Sequence, residues 1–152
     1  MNRPGESQQL SFMGRFRHTI DAKGRLIVPS RMRDEIAGDK VVLSWWFEDC
    51  IAIWSETGWN EIETRLRSIG QSGRGARQIV RKVAGSAHAE EVDKQGRVNI
   101  PQTLRDEAGI TREAVIVGSL THGEIWDPVR YEQRNEQVDE GQLEELAEGL
   151  DF

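Results

Sequence analysis

The stretch from Asp21 to Glu35 is written a second time, 72 residues later, from Asp93 to Glu107. Seven of the fifteen aligned pairs are identical: Asp21/Asp93, Gly24/Gly96, Arg25/Arg97, Pro29/Pro101, Arg33/Arg105, Asp34/Asp106 and Glu35/Glu107. The alignment continues at the same offset, without a gap, to Ile53-Trp54 over Ile125-Trp126. A repeat of this length means two copies of one supersecondary unit. Two such copies predict a pseudo-two-fold molecule that shows the same side chain twice on one surface. Each copy has roughly 70 residues, a size at which a lone core is marginal. The copies are therefore expected to share one core.

Local patterns predict the same order of elements in each copy. A half-buried strand ends near Ile20, with Phe16 and His18 on one side and Arg15 and Arg17 on the other. A tight turn at Asp21–Gly24 leads to a returning strand over Arg25–Val28. Pro29 closes that strand, because it cannot donate to a ladder. Ser30 is a candidate N-cap for a short helix to Ala37, and strands at Val41–Leu43 and Ile51–Trp54 follow. The second copy gives a strand to Val92, a turn at Asp93–Gly96, a strand Arg97–Ile100, a helix Gln102–Ala108 and strands near Ala114–Val117 and Glu124–Trp126. Between the copies, Trp59, Ile62, Leu66 and Ile69 are spaced as one face of a helix. Gln71–Gly75 is a flexible break, and a second helix carries Arg77, Arg81 and Lys82. The organisation expected is a polar, disordered lead-in at 1–11, a first repeat at 12–54 and a helical spacer at 55–83. A second repeat at 84–126 and a C-terminal helix with an acidic tail at 127–152 complete it.

Charge divides the chain unevenly. The net charge is −6, yet residues 124–152 hold ten acidic residues against Arg130 and Arg134, so residues 1–123 carry +2. Residues 61–85 alone hold six basic and two acidic residues. An acidic tail on a locally basic body suits a protein that meets a polyanion on one face, and equally a solvated tail with ordinary surface charge. The single cysteine, Cys50, excludes an intramolecular disulfide and fits a reducing cytosol. No apolar run reaches the roughly 18 residues needed to span a bilayer, and the first residues lack a secretory h-region. His18, His88 and His122 have no metal-ligand spacing. Ser86 and His88 lack a nucleophile elbow, and no phosphate-binding loop is present. No catalytic residue, metal or cofactor is expected, and the chain reads as no enzyme.

The chemistry concentrates in the repeated Asp-x-x-Gly-Arg. An aspartate opening a turn accepts hydrogen bonds from amides two or three residues on, and a glycine at the fourth position lets the chain fold back. The arginine then begins the returning strand beside the carboxylate, which fixes the direction of its guanidinium. Such a pair staples a turn; it also aims a cation at a phosphate or a guanine edge. Arg15, Arg17, Lys23, Arg31 and Arg33 cluster in sequence around the first turn, and Lys94 and Arg105 around the second.

These two motifs, Asp21-Ala-Lys-Gly-Arg-Leu-Ile-Val-Pro and Asp93-Lys-Gln-Gly-Arg-Val-Asn-Ile-Pro, joined by a two-helix spacer, resemble the MraZ family of bacterial transcriptional regulators. That family is similar to the wider AbrB/SpoVT group. The resemblance covers roughly residues 12–135 and implies an α+β, mainly β fold: a pseudo-two-fold double swapped-hairpin β-barrel with flanking helices. It implies a homo-oligomeric ring of eight to twelve subunits on the nucleoid, bound to short direct repeats in double-stranded DNA upstream of the division and cell-wall gene cluster. It implies DNA contacts from Arg25 and Arg97, oriented by Asp21 and Asp93 with Gly24 and Gly96. Arg15, Arg17, Lys23 and Lys94 are candidate supporting contacts. No membrane or small-molecule partner is implied. The rival expectation is a ring-forming structural or protein-binding module whose basic turns pair with acidic tails.

Two further features bear on assembly. Trp45-Trp46-Phe47 cannot face one core in a strand, because side chains alternate; a neighbouring copy or the spacer helix would cover the other side. Leu143, Leu146 and Leu150 lie at helical spacing in the acidic tail. That segment is either a short helix docked on a neighbour or a solvated tail that screens the basic face, the tail being the favoured reading.

Overall fold

The computed structural model describes residues 11–136 and 139–151, so most of the expected lead-in, residues 1–10, lies outside the described residues. Strands β1 (Arg15–Thr19) and β2 (Arg25–Ile27) flank the first turn. Helix α1 (Ser30–Arg33) and strands β3 (Lys40–Trp46) and β4 (Cys50–Ser55) complete the first copy. Helices α2 (Glu56–Ile69) and α3 (Arg74–Ser86) form the spacer. The second copy holds β5 (His88–Glu91), β6 (Arg97–Asn99), α4 (Gln102–Ala108), β7 (Glu113–Gly118) and β8 (Gly123–Trp126), with α5 (Pro128–Glu136) and α6 (Glu140–Gly149) after it.

The pairing shows the hairpins exchanged between copies. A six-stranded antiparallel sheet runs in the order β1-β7-β8-β4-β3-β5, and β2 pairs with β6 in a separate ribbon. Thus β1 of the first copy lies on β7 of the second, and β5 of the second lies on β3 of the first. Leu26 pairs with Val98 in the ribbon, and Ala52 pairs with Glu124 in the sheet. Each of these pairs joins residues 72 apart, so the pseudo-two-fold axis passes through both. The fold is the expected α+β class with an antiparallel core and flanking helices. The barrel is not closed by hydrogen bonds, however: β1 and β5 remain the sheet's edges. Each edge strand turns directly into the ribbon, β1 into β2 and β5 into β6, so the ribbon spans the gap without joining the ladder.

The ungapped register of the repeat also needs correction. Leu43 pairs with Ile53 and His88, whereas Ile116 pairs with Ile125 and Phe16. Leu43 and Ile116 are therefore structural equivalents, and they are 73 residues apart. One extra residue between α4 and β7 causes the shift, and a shorter β7–β8 turn recovers it. A one-residue slip would have turned every buried side chain of β7 outward. Burial of Ala114 and Ile116, matching Val41 and Leu43, decided the register.

A single cluster draws on both copies: Leu26, Val28, Met32, Leu43 and Ile53 from one, Val98, Ile100, Leu104, Ile116 and Ile125 from the other. Burying such a side chain contributes roughly 1.5–3 kcal/mol. Ser30 does not cap α1; Pro29 occupies that position, and no side-chain cap bond forms. Pro101 does the same for α4, since a proline's fixed φ suits the entry to a helix. The acidic tail is not wholly irregular. Asp139 caps α6 in a reciprocal box with Gln142. No helix among the described residues is long and apolar enough to cross a membrane.

Candidate nucleic-acid interface

Each hairpin tip is built the same way. In the first, the Asp21 amide donates to the Arg25 carbonyl at 2.9 Å and the Gly24 amide to the Asp21 carbonyl at 2.9 Å. Oδ1 of Asp21 accepts the amides of Lys23 and Arg25, both at 2.9 Å, and Oδ2 accepts Nε of Arg25 at 3.0 Å. In the second, Oδ1 of Asp93 accepts the amides of Gln95 and Arg97 at 2.9 Å each, and Oδ2 accepts Nε of Arg97 at 3.1 Å. The carboxylates sit below the usual aspartate range. The Arg25 amide is the chief cause for Asp21 and the Arg97 amide for Asp93, with the second amide and the guanidinium adding to each.

Engaging Nε leaves the Nη atoms of Arg25 without a hydrogen-bond partner among the described residues. Nη1 of Arg97 lies 3.8 Å from Oδ2 of Asp21, so the two tips are electrostatically joined. Within the ribbon, Arg25 stands opposite Asn99 and Arg97 opposite Ile27. The arginines are therefore diagonal neighbours on one face. Leu26 and Val98 point the other way and are buried. Both guanidinium groups are partly exposed, with side-chain exposures of 31% and 27%. They point to the same side and are not sealed inside.

Glycine is required at the fourth turn position for two reasons. Gly24 and Gly96 have φ of +82° and +81°, a region other residues rarely adopt. A Cβ on Gly24 would stand 2.9 Å from Nη2 of Arg105, and one on Gly96 would collide with the Arg33 guanidinium. Arg33 of the first copy thus lies against the second turn, and Arg105 of the second copy against the first. Sequence order alone attaches Arg33 to the first turn and Arg105 to the second; the exchange of hairpins reverses that. Their identity across the repeat is the sequence signal for their place at the tips.

Lys23 and Lys94 are exposed at the tips. Arg15 and Arg17 lie on β1 rather than on the ribbon. Arg17 pairs with Glu113 at 3.4 Å, and the Arg15 guanidinium lies 6.0 Å from the ring centre of Tyr131 on α5. The described residues hold no group of three or more His, Cys, Asp and Glu arranged for a metal.

Two consecutive matches to one family, described as "MraZ protein, putative antitoxin-like", cover residues 11–82 and 83–151. The chain belongs to the MraZ family. The boundary between the matches falls within the last turns of α3, just before the second copy's first strand. Similar proteins named transcriptional regulator MraZ include one from Ligilactobacillus salivarius (strain UCC118), 39% identical over 91% of this chain and 96% of its own. One from Desulforamulus reducens is 40% identical over the same shares. One from Thermoanaerobacter sp. (strain X514) is 38% identical, again over 91% and 96%.

Proposed function

We propose that this chain is a sequence-specific DNA-binding transcriptional regulator. It works in the bacterial cytoplasm, on the nucleoid, as a homo-oligomeric ring of eight to twelve subunits. Its relatives' name, transcriptional regulator, supports the reading. The observation that carries it is the ribbon face, where Arg25 and Arg97 are each fixed by their own aspartate and lie diagonally on one side. Orienting a guanidinium in advance lowers the entropy lost on binding. The DNA would be short direct repeats upstream of the division and cell-wall gene cluster, including the protein's own gene. No cofactor, metal or catalytic step enters this reading.

One protomer offers Arg25, Arg97, Lys23, Lys94, Arg33 and Arg105 around its tips. Affinity falls with salt by a slope of about 0.9 per phosphate neutralised, so a single protomer binds weakly at physiological salt. Tandem subunits on tandem repeats raise the effective affinity, with repeats near one helical turn, about 10 base pairs, presenting one face to successive subunits. A mobility assay with DNA from immediately upstream of the gene tests this. Binding should collapse when all but one repeat is deleted; equal affinity for single and multiple repeats would refute it.

A second reading is a ring-forming structural or protein-binding module. The segment 139–151 favours it, with Asp139, Glu140, Glu144, Glu145, Glu148 and Asp151 and no basic residue. In that reading the basic turns pair with acidic segments of neighbours, and the same assay shows no shift with any repeat number.

A further inference from the structure

Helices α2 and α3 lean together over the β3–β4 turn and enclose an apolar groove of about 370 Å³. Trp54 and Val83, both fully buried, floor it. Its rim is unfinished: Phe47 is 45% exposed, Ile79 37% and Ile69 36%. The spacer thus covers the aromatic triplet only in part. Trp45 packs toward the core with Lys82 over its ring, while Trp46 and Phe47 open into the groove.

At the other end of the chain stands the reverse feature. Helix α6 has ten residues and buries none of them. Leu143, Leu146 and Leu150 are 55%, 58% and 76% exposed, on one stripe. An isolated helix this short is marginal in water, even when capped. Its stripe needs a partner surface.

We infer that α6 of one copy docks its leucine stripe into the α2–α3 groove of a second copy of this chain. Charge favours that occupant. Residues 61–85 carry six basic and two acidic residues, with Arg65 and Glu61 lining the groove. The segment 139–151 that contains α6 carries six carboxylates and no base. Topology favours a neighbour over the same chain. Helix α5 lies on the β1–β7 flank, where Pro128 and Tyr131 line a cleft with Phe16 and Val115, whereas α2 and α3 lie against β4 and β3. A helix entering a different patch on the next copy is a heterologous contact, which closes into a ring when the rotation permits. The inference rests on the ring-forming reading and supplies its contact.

Cysteine pairing tests it. Cys50 is buried and its thiol is pushed upward by burial and by nearby carboxylates, so it stays out of the exchange. A full-length chain with Ile79→Cys is mixed under mild oxidation with a tagged chain carrying Leu146→Cys, and the size of the unmodified protein is measured alongside. The expected result is an assembly larger than a monomer together with a disulfide-linked heterodimer. Leu143→Glu with Leu146→Glu should then shift the elution to a small species while the unfolding transition of the core stays in place. Assembly without the heterodimer overturns the docking and leaves the ring reading standing. A disulfide formed only within a chain carrying both cysteines shows α6 filling its own groove and also overturns it. A protein that is monomeric at every concentration ends both.

Discussion

A carboxylate that holds two amides and a guanidinium does two jobs with one charge. The folded-state values of Asp21 and Asp93 lie below the ordinary aspartate range. Their contribution to stability is therefore complete above that range and is lost as the pH falls through the lower folded values. Asp21→Asn with Asp93→Asn should flatten this acid limb in unfolding followed by circular dichroism. At neutral pH the double change should move stability little, because solvent screens both groups. DNA affinity should fall further than stability, since an amide keeps the turn but cannot accept from Nε with its NH₂. Glu124 behaves differently. Burial pushes it up, yet hydrogen bonds from His122 at 3.0 Å and Trp126 at 3.0 Å outweigh this and hold it low. It belongs to the packing beneath the β7–β8 turn, not to the ribbon.

The turn elements carry a comparison that isolates the exchange of hairpins. Gly38 and Gly96 both have positive φ, +83° and +81°, but a Cβ meets nothing within 4 Å at Gly38 and meets Arg33 at Gly96. Gly38→Ala should cost about 1–2 kcal/mol from conformation alone. Gly96→Ala should cost more in urea denaturation, and the excess reads the displacement of Arg33. Equal losses would mean that Arg33 moves aside freely. These elements were largely legible in the sequence: α4 begins and ends where the pattern put it, and both turns sit on their Asp and Gly. Three features were not. The α4–β7 insertion is invisible to an alignment whose later match, Ile53-Trp54 on Ile125-Trp126, restores the offset. The exchange of Arg33 and Arg105 between turns is a tertiary fact that local pattern cannot hold. In the acidic stretch 139–151 the leucine spacing was legible, but the Asp139–Gln142 capping box that starts the helix was not read from it.

Across the whole molecule, the exchange turns a tandem repeat into one surface. The ribbon of β2 and β6 takes one strand from each copy, so neither copy alone can present two arginines side by side. DNA binding should depend steeply on salt: the logarithm of affinity should fall linearly with the logarithm of salt concentration. Arg33→Ala and Arg105→Ala should reduce that slope with similar weight, because each guards the other copy's turn. The most direct measurement is DNA affinity by fluorescence anisotropy on multiple-repeat promoter DNA, with assembly size recorded in parallel, for Arg25→Ala, Arg97→Ala and the double variant. The expected result is a loss of about tenfold or more for each, a larger loss for the pair, and an unchanged assembly. Full DNA affinity in the double variant, or loss of the assembly in place of loss of binding, would contradict it.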